Sequence, residues 1–364
     1  MKFGKKHGVL LGVGSLVVAT GVWTGIRVTH DDFRPLCDGA VEKQALQEGL
    51  GREKVKAAKF DDLDSISSVG RLAECSAWAS DSSATMTVNI GTQKAAPRIL
   101  AQAVHDDLDS RVVSGPVGSR WPGVYTMENP THASVTVALG CRAKRPSRLL
   151  VNVQEQLTQR ETSFQDSSER THLARAAAIV SRKASTIWKC GADRPPKIRS
   201  VETSPRLKTP KPVNRAAGTC HALRKLASVA KQHGITQASG AASSSEAPSE
   251  DCLLFDAKGK ERYRLSALHD TFARGFRESG DANPEISGTS GKRGQGSADW
   301  PWAWASAACP GNVSRSLFAV TSSPKLDNDG KPLKGGRAFE KSVLAAFATE
   351  SAEQHDCGQP ELPH

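Results

Sequence analysis

Eight cysteines fall into two sets of four, and their spacing constrains the chain more tightly than any other feature. Cys37, Cys75, Cys141 and Cys190 are separated by 38, 66 and 49 residues, and Cys220, Cys252, Cys309 and Cys357 by 32, 57 and 48. The flanking text agrees with that correspondence. LCDGAVEKQALQEGLG parallels TCHALRKLASVAKQHG, RLAECSAWAS parallels PSEDCLLFDA, and ALGCRAKRPSRLLVNV parallels SAACPGNVSRSLFAVT. Both sets close on a helix-like run ending in Cys-Gly with proline beyond it. Four anchors in one order point to an internal duplication.

The compartment follows from the N-terminus. Residues 9–28 are uncharged apart from Arg27 and largely apolar, long enough at 1.5 Å per residue to span a hydrocarbon layer of about 30 Å. Lys2, Lys5 and Lys6 precede the run and Asp31 and Asp32 follow it, which favours a cytoplasmic stub, residues 1–8, with the rest across the membrane. A cleaved signal peptide ending near Ala19–Gly21 is the competing reading. Trp23 and Ile26 prolong the run beyond what a cleaved peptide needs, and this favours a single-pass anchor. Gly8/Gly12 and Gly21/Gly25 form G-x-x-x-G pairs, so a homodimer through this segment is one expectation.

In an exported chain an even number of cysteines implies disulfides. Structural zinc sites use close C-x₂₋₄-C pairs, which are absent here. Three pairings are open in each set. The favoured one joins Cys37–Cys75, Cys141–Cys190, Cys220–Cys252 and Cys309–Cys357, tying each terminal helix to a strand. Closing loops of such length contributes roughly 3–4 kcal/mol per bridge.

Periodicity supplies the elements. Met86, Val88 and Ile90 alternate with polar neighbours, as do Val135, Val137, Leu139 and Cys141, and then Leu149, Val151 and Val153; each set reads as a strand. Leu173, Ala177, Val180, Ala184 and Ile187 form a helical stripe, as do Phe339, Val343 and Phe347. The expected fold class is α+β. It comprises an N-terminal transmembrane helix and two tandem modules, 37–191 and 219–358. Each module is a mainly antiparallel sheet of about four strands covered by helices and stapled by two disulfides. Five prolines among basic residues make 192–218 a stiff spacer of up to about 80 Å. Residues 239–250 and 279–298 are poor in apolar side chains and read as mobile loops.

The net charge of +11 raises the question of nucleic acid. The three N-terminal lysines and a net five charges in 192–218 leave only +3 for everything else, so no folded basic face is implied and a nucleic-acid partner is not expected.

Candidate sites are few. Trp300, Trp302 and Trp304 share one face of a strand, where three indoles can stack on a glycan or clamp an apolar peptide, or else fill the core. His105-Asp106 and His269-Asp270 occupy similar places in the two modules and are the one hint of acid–base chemistry, although adjacent helical residues do not face each other. Asp107 and Asp109 lack the pattern of a calcium loop. No nucleophile elbow, phosphate loop or metal-ligand spacing is present, so no catalytic residue, cofactor or metal is assigned.

In layout the chain resembles membrane-anchored extracytoplasmic proteins of actinobacteria. The likeness rests on the lysine-bearing start, the single apolar segment, the R-P-L-C-D-G opening at Arg34–Gly39 and the Ala/Arg/Ser-rich composition. It implies location and no activity. The expectation is therefore a non-enzymatic envelope protein that binds a protein or glycan partner. The alternative is a divergent envelope hydrolase using a His-Asp site.

Overall fold

The computed structural model describes residues 35–51, 55–59, 69–104, 113–118, 120–142, 146–158, 162–278, 291–292, 302–312, 314–322 and 336–363. In the first half the elements run α1 (Lys43–Leu50), β1 (Val55–Lys59), β2 (Arg71–Ala79), β3 (Ala84–Thr92), α2 (Ala96–Val104), β4 (Val113–Pro116), β5 (Gly123–Asn129), β6 (His132–Gly140), β7 (Arg148–Leu157) and α3 (Ser167–Ile187). In the second half come β8 (Lys211–Pro212), α4 (Ala227–Gln232), β9 (Ile235–Gly240), β10 (Ser249–Asp256) and β11 (Glu261–Leu268). They are followed by α5 (Asp270–Glu278), β12 (Gly291–Lys292), β13 (Trp302–Ala307), β14 (Ser316–Ser322) and α6 (Gly336–Gln354).

Each half forms one seven-stranded sheet, ordered β1-β2-β3-β7-β6-β5-β4 in the first and β12-β13-β14-β11-β10-β9-β8 in the second. The paired strands described in both are antiparallel. With the cysteines as anchors, β9, β10, β11, β14, β13 and β12 stand in the order of β1, β2, β3, β7, β6 and β5. The class is α+β, but the expected fold needs correction in two respects. Each sheet has seven strands rather than about four. No helix among the described residues is long and apolar enough to cross a membrane, and residues 9–28 lie outside them.

Alternation assigns the two faces of each sheet. Met86, Val88, Ile90, Val135, Val137, Leu139, Leu149, Val151 and Val153 all turn toward α1 and α3, where Leu46, Leu173, Ala177 and Val180 close the core. Phe318 and Val320 do the same toward α6, against Phe339, Val343 and Phe347. The opposite faces of the two sheets meet each other. Leu150 and Ala138 from the first and Leu317, Ala319 and Trp304 from the second enclose α2 and α5, contributing Ile99, Leu100, Phe272 and Phe276. The order of layers is helices, sheet, a helix pair shared by both halves, sheet, helices.

All four favoured disulfides are present: Cys37–Cys75, Cys141–Cys190, Cys220–Cys252 and Cys309–Cys357. The spacer is not. Within 192–218, Ile198 and Val201 join the first core, and Val213 and Ala216 join the second. Arg175 donates to the Ile198 carbonyl (3.0 Å) and Arg170 to that of Val201 (3.2 Å), while β8 adds an edge strand beside β9. Proline-rich chain makes an extended strap as readily as a free tether, and its apolar residues decide in favour of the strap. Residues 239–250 are likewise packed rather than mobile, with Ala241, Ser244, Ala247 and Glu250 all buried. Of 279–298, only 291–292 are described, as β12.

Candidate functional site

Strand alternation at Glu250-Asp251 sends two neighbouring carboxylates to opposite faces of the second sheet. Asp251 turns to the interface between the halves. There it accepts from the Ser114 backbone N–H (2.8 Å), the Arg264 Nε (3.0 Å) and the Ser266 hydroxyl (2.6 Å). Glu250 turns outward, beneath the C-terminal end of α6, and meets a group of polar side chains.

Those side chains come from the end of β11, from β14 and from α6. His269 follows the last residue of β11, and its backbone is fixed by its N–H to the Pro248 carbonyl (2.9 Å) and by accepting the Phe272 N–H (3.0 Å). Ser316 opens β14. Ser351 and His355, four apart on α6 or at its end, project from one helix face. The Ser351 hydroxyl donates to Glu250 Oε2 (2.7 Å) and lies 3.3 Å from His269 Nε2. His269 Nδ1 lies 2.9 Å from the Ser316 hydroxyl, whose oxygen touches Sγ of Cys309 in the Cys309–Cys357 disulfide. The imidazoles of His269 and His355 stack with ring centroids 3.6 Å apart and planes 18° from parallel. His355 Nε2 is 3.5 Å from Glu250 Oε1, and His269 Nε2 is 3.9 Å from Oε2. Gln354 also donates to Oε1 (3.4 Å).

The group is closed to solvent: Glu250 is 2% exposed, His269 4%, Ser351 4% and Ser316 0%. Burial disfavours the Glu250 carboxylate, but the two imidazoles beside it outweigh that and bring its carboxyl down to about 2. Burial also depresses His269, against the opposing pull of the Glu250 carboxylate. Hydroxyl, imidazole and carboxylate are all present, yet no substrate carbonyl can approach Ser316 or Ser351. The arrangement can hold a charge or a cation, but it cannot serve as an open nucleophilic site.

The residues singled out from sequence scatter. Trp304 is 3% exposed in the shared interior core, Trp302 lies on β13 with its side chain outside the description, and Trp300 lies outside the described residues. Of the two readings open for these indoles, Trp304 takes the second and fills core. His105, Asp106, Asp107 and Asp109 lie outside the described residues. His269 enters the buried group, but not with Asp270, whose carboxylate pairs with Arg148 of the first half. The expected His-Asp dyad is thus two residues facing different ways.

Glu250, Ser316, Ser351 and His355 were missed, although the cysteine correspondence points to them. Glu250 stands two residues before Cys252, where Ala73 precedes Cys75. His355 and Ser351 precede Cys357 by two and six residues, where Trp188 and Ala184 precede Cys190. Ser314-Arg315-Ser316-Leu317 parallels Ser147-Arg148-Leu149-Leu150. The two helix ends are built alike: Lys189 and Asp356 both take positive φ, and the cysteine N–H bonds back to Ser185 or Ala352 at 2.8 Å. Four apolar positions of the first half are thus polar in the second.

An open cleft lies elsewhere, at the C-terminal end of α3. It has a volume of about 440 Å³ and is lined in part by Arg182, Lys183, Thr186, Asp193 and Arg194. Lys183 pairs with Glu42 (2.6 Å) and Asp193 with Arg142. No protein family, no curated protein and no solved structure matches the chain.

Proposed function

We propose that this chain is a non-enzymatic binding or interaction protein of an oxidising, extracytoplasmic compartment, with an envelope protein or glycan as its partner. One observation carries the reading: among the described residues, chemistry and access lie in different places. The imidazoles, hydroxyls and carboxylate able to move protons are walled in beneath α6. The open cleft at the end of α3 offers arginines and a threonine whose hydroxyl is spent on the Arg182 carbonyl (3.1 Å). Catalysis needs both in one place. Four disulfides support an oxidising location, where such bonds form and persist.

The partner would approach the Arg182/Arg194 cleft, where planar guanidinium groups suit carboxylate or phosphate groups of an envelope polymer. The test pairs an assay with a binding measurement. The purified chain should hydrolyse ester, amide and phosphoester surrogates no faster than the Ser316→Ala/Ser351→Ala variant. It should sediment with isolated cell-wall polymer, and Arg182→Ala/Arg194→Ala should weaken that binding at least fivefold. Turnover that disappears in the serine variant would establish the hydrolase instead.

A further inference from the structure

We propose that Glu250, His269 and His355 form a binding site for a divalent transition ion of the zinc type. The three residues each offer one ligand atom, and these atoms lie within 4.8 Å of one another. A tetrahedral ion with bonds of 2.0–2.2 Å spaces its ligands about 3.4 Å apart. His355 Nε2 lies 3.5 Å from Glu250 Oε1 and His269 Nε2 3.9 Å from Oε2, so the two imidazoles flank one carboxylate, each near that spacing from one of its oxygens. One carboxylate with two imidazoles is a donor set that suits zinc and its neighbours better than calcium or magnesium.

Three independent features point the same way. His355 has a side chain only 8% exposed, and its Nε2 faces Glu250 without a hydrogen bond. A buried ring nitrogen in that state is costly unless something binds it. His269 is anchored through Nδ1 by Ser316, which fixes the ring as supporting hydrogen bonds do in metal centres, while its Nε2, 3.3 Å from the Ser351 hydroxyl and 3.9 Å from Glu250 Oε2, is the atom that faces the carboxylate and would turn to an ion. Finally, the first half closes the same fold with Ala73, Leu149, Ala184 and Trp188 at the corresponding positions, so the polar group is not required by the architecture.

Binding requires one ring to tilt, since an ion cannot lie in the planes of two imidazoles stacked 3.6 Å apart. His355 is placed to do so, at the end of α6 and beside exposed Asp356. The Ser351 hydroxyl, 2.7 Å from the carboxylate, would stay as its supporting donor. The oxidised Cys309 and Cys357 sulfurs beyond Ser316 are not ligands in this state. This site is separate from the arginine cleft, so zinc binding and polymer binding can fail independently.

The experiment uses the full, oxidised chain stripped with a chelator and titrated with zinc chloride by calorimetry. One equivalent should bind with micromolar or tighter affinity, and the thermal midpoint should rise with zinc. Glu250→Gln, which keeps size but exchanges one acceptor oxygen and the charge for an amide, and His355→Trp, which restores the residue of the first half, should each weaken binding at least tenfold while melting cooperatively. Cobalt in place of zinc should give the visible absorption of a four-coordinate ion in the native chain only. Absence of zinc binding by the native chain, or equal binding by Glu250→Gln and His355→Trp, overturns the assignment.

Discussion

A single strand position separates the two acids that organise the second half. Asp251, fully buried, is matched by Arg264 and two further donors. Breaking such a pair by truncating one partner leaves an uncompensated charge and costs about 3–5 kcal/mol. Glu155 in the first half is held differently. It sits on β7 among residues facing α3, 3% exposed, and burial followed by the nearby Glu169 charge raises its carboxyl well above the ordinary 4.5. The folded form therefore holds a proton that the unfolded chain gives up. Its contribution to stability is complete below about 4.5 and declines as pH rises toward the raised folded value. Glu155→Gln mimics the protonated form, so melts should match at pH 4.5 and the variant should become progressively more stable than the native chain as pH increases. A pH-independent difference would contradict this.

At the scale of elements, α2 and α5 approach closely because Gly275 faces α2. A Cβ there would lie 2.7 Å from Leu100 Cδ1 and 3.1 Å from the Ala96 carbonyl carbon and oxygen. The flexible side chain can yield, but the backbone carbonyl cannot. Gly275→Val should cost about 1–3 kcal/mol, measured as a lower urea midpoint with unchanged far-ultraviolet dichroism. Central strands and terminal helices were legible in the sequence because each shows a clean period to one face, as at Met86–Ile90 and Leu173–Ala184. Edge strands were not. β1 reads Val-Lys-Ala-Ala-Lys, poor in branched residues, and β8 is a Lys-Pro dipeptide held only by its neighbour. The strap 192–218 was misread because its four anchoring apolar residues are spread among prolines and cations. The buried group escaped notice because Glu250 lies in a stretch whose composition suggests a loop.

Across the whole molecule, the cysteine pattern was sufficient to give the bridges but silent on how the halves meet. That contact depends on the second face of each sheet, on Leu150, Leu268, Phe272, Phe276 and Trp304, whose burial no periodicity announces once α2 and α5 are short. The result is one body rather than two beads, joined by a common core, by Asp251 to Ser114 and by Arg148 to Asp270 and the Gly311 carbonyl. Scanning calorimetry of the oxidised chain tests this directly. A shared core predicts one transition whose calorimetric and van't Hoff enthalpies agree. Two separable transitions, with only one shifted by Gly275→Val, would show the halves to be independent.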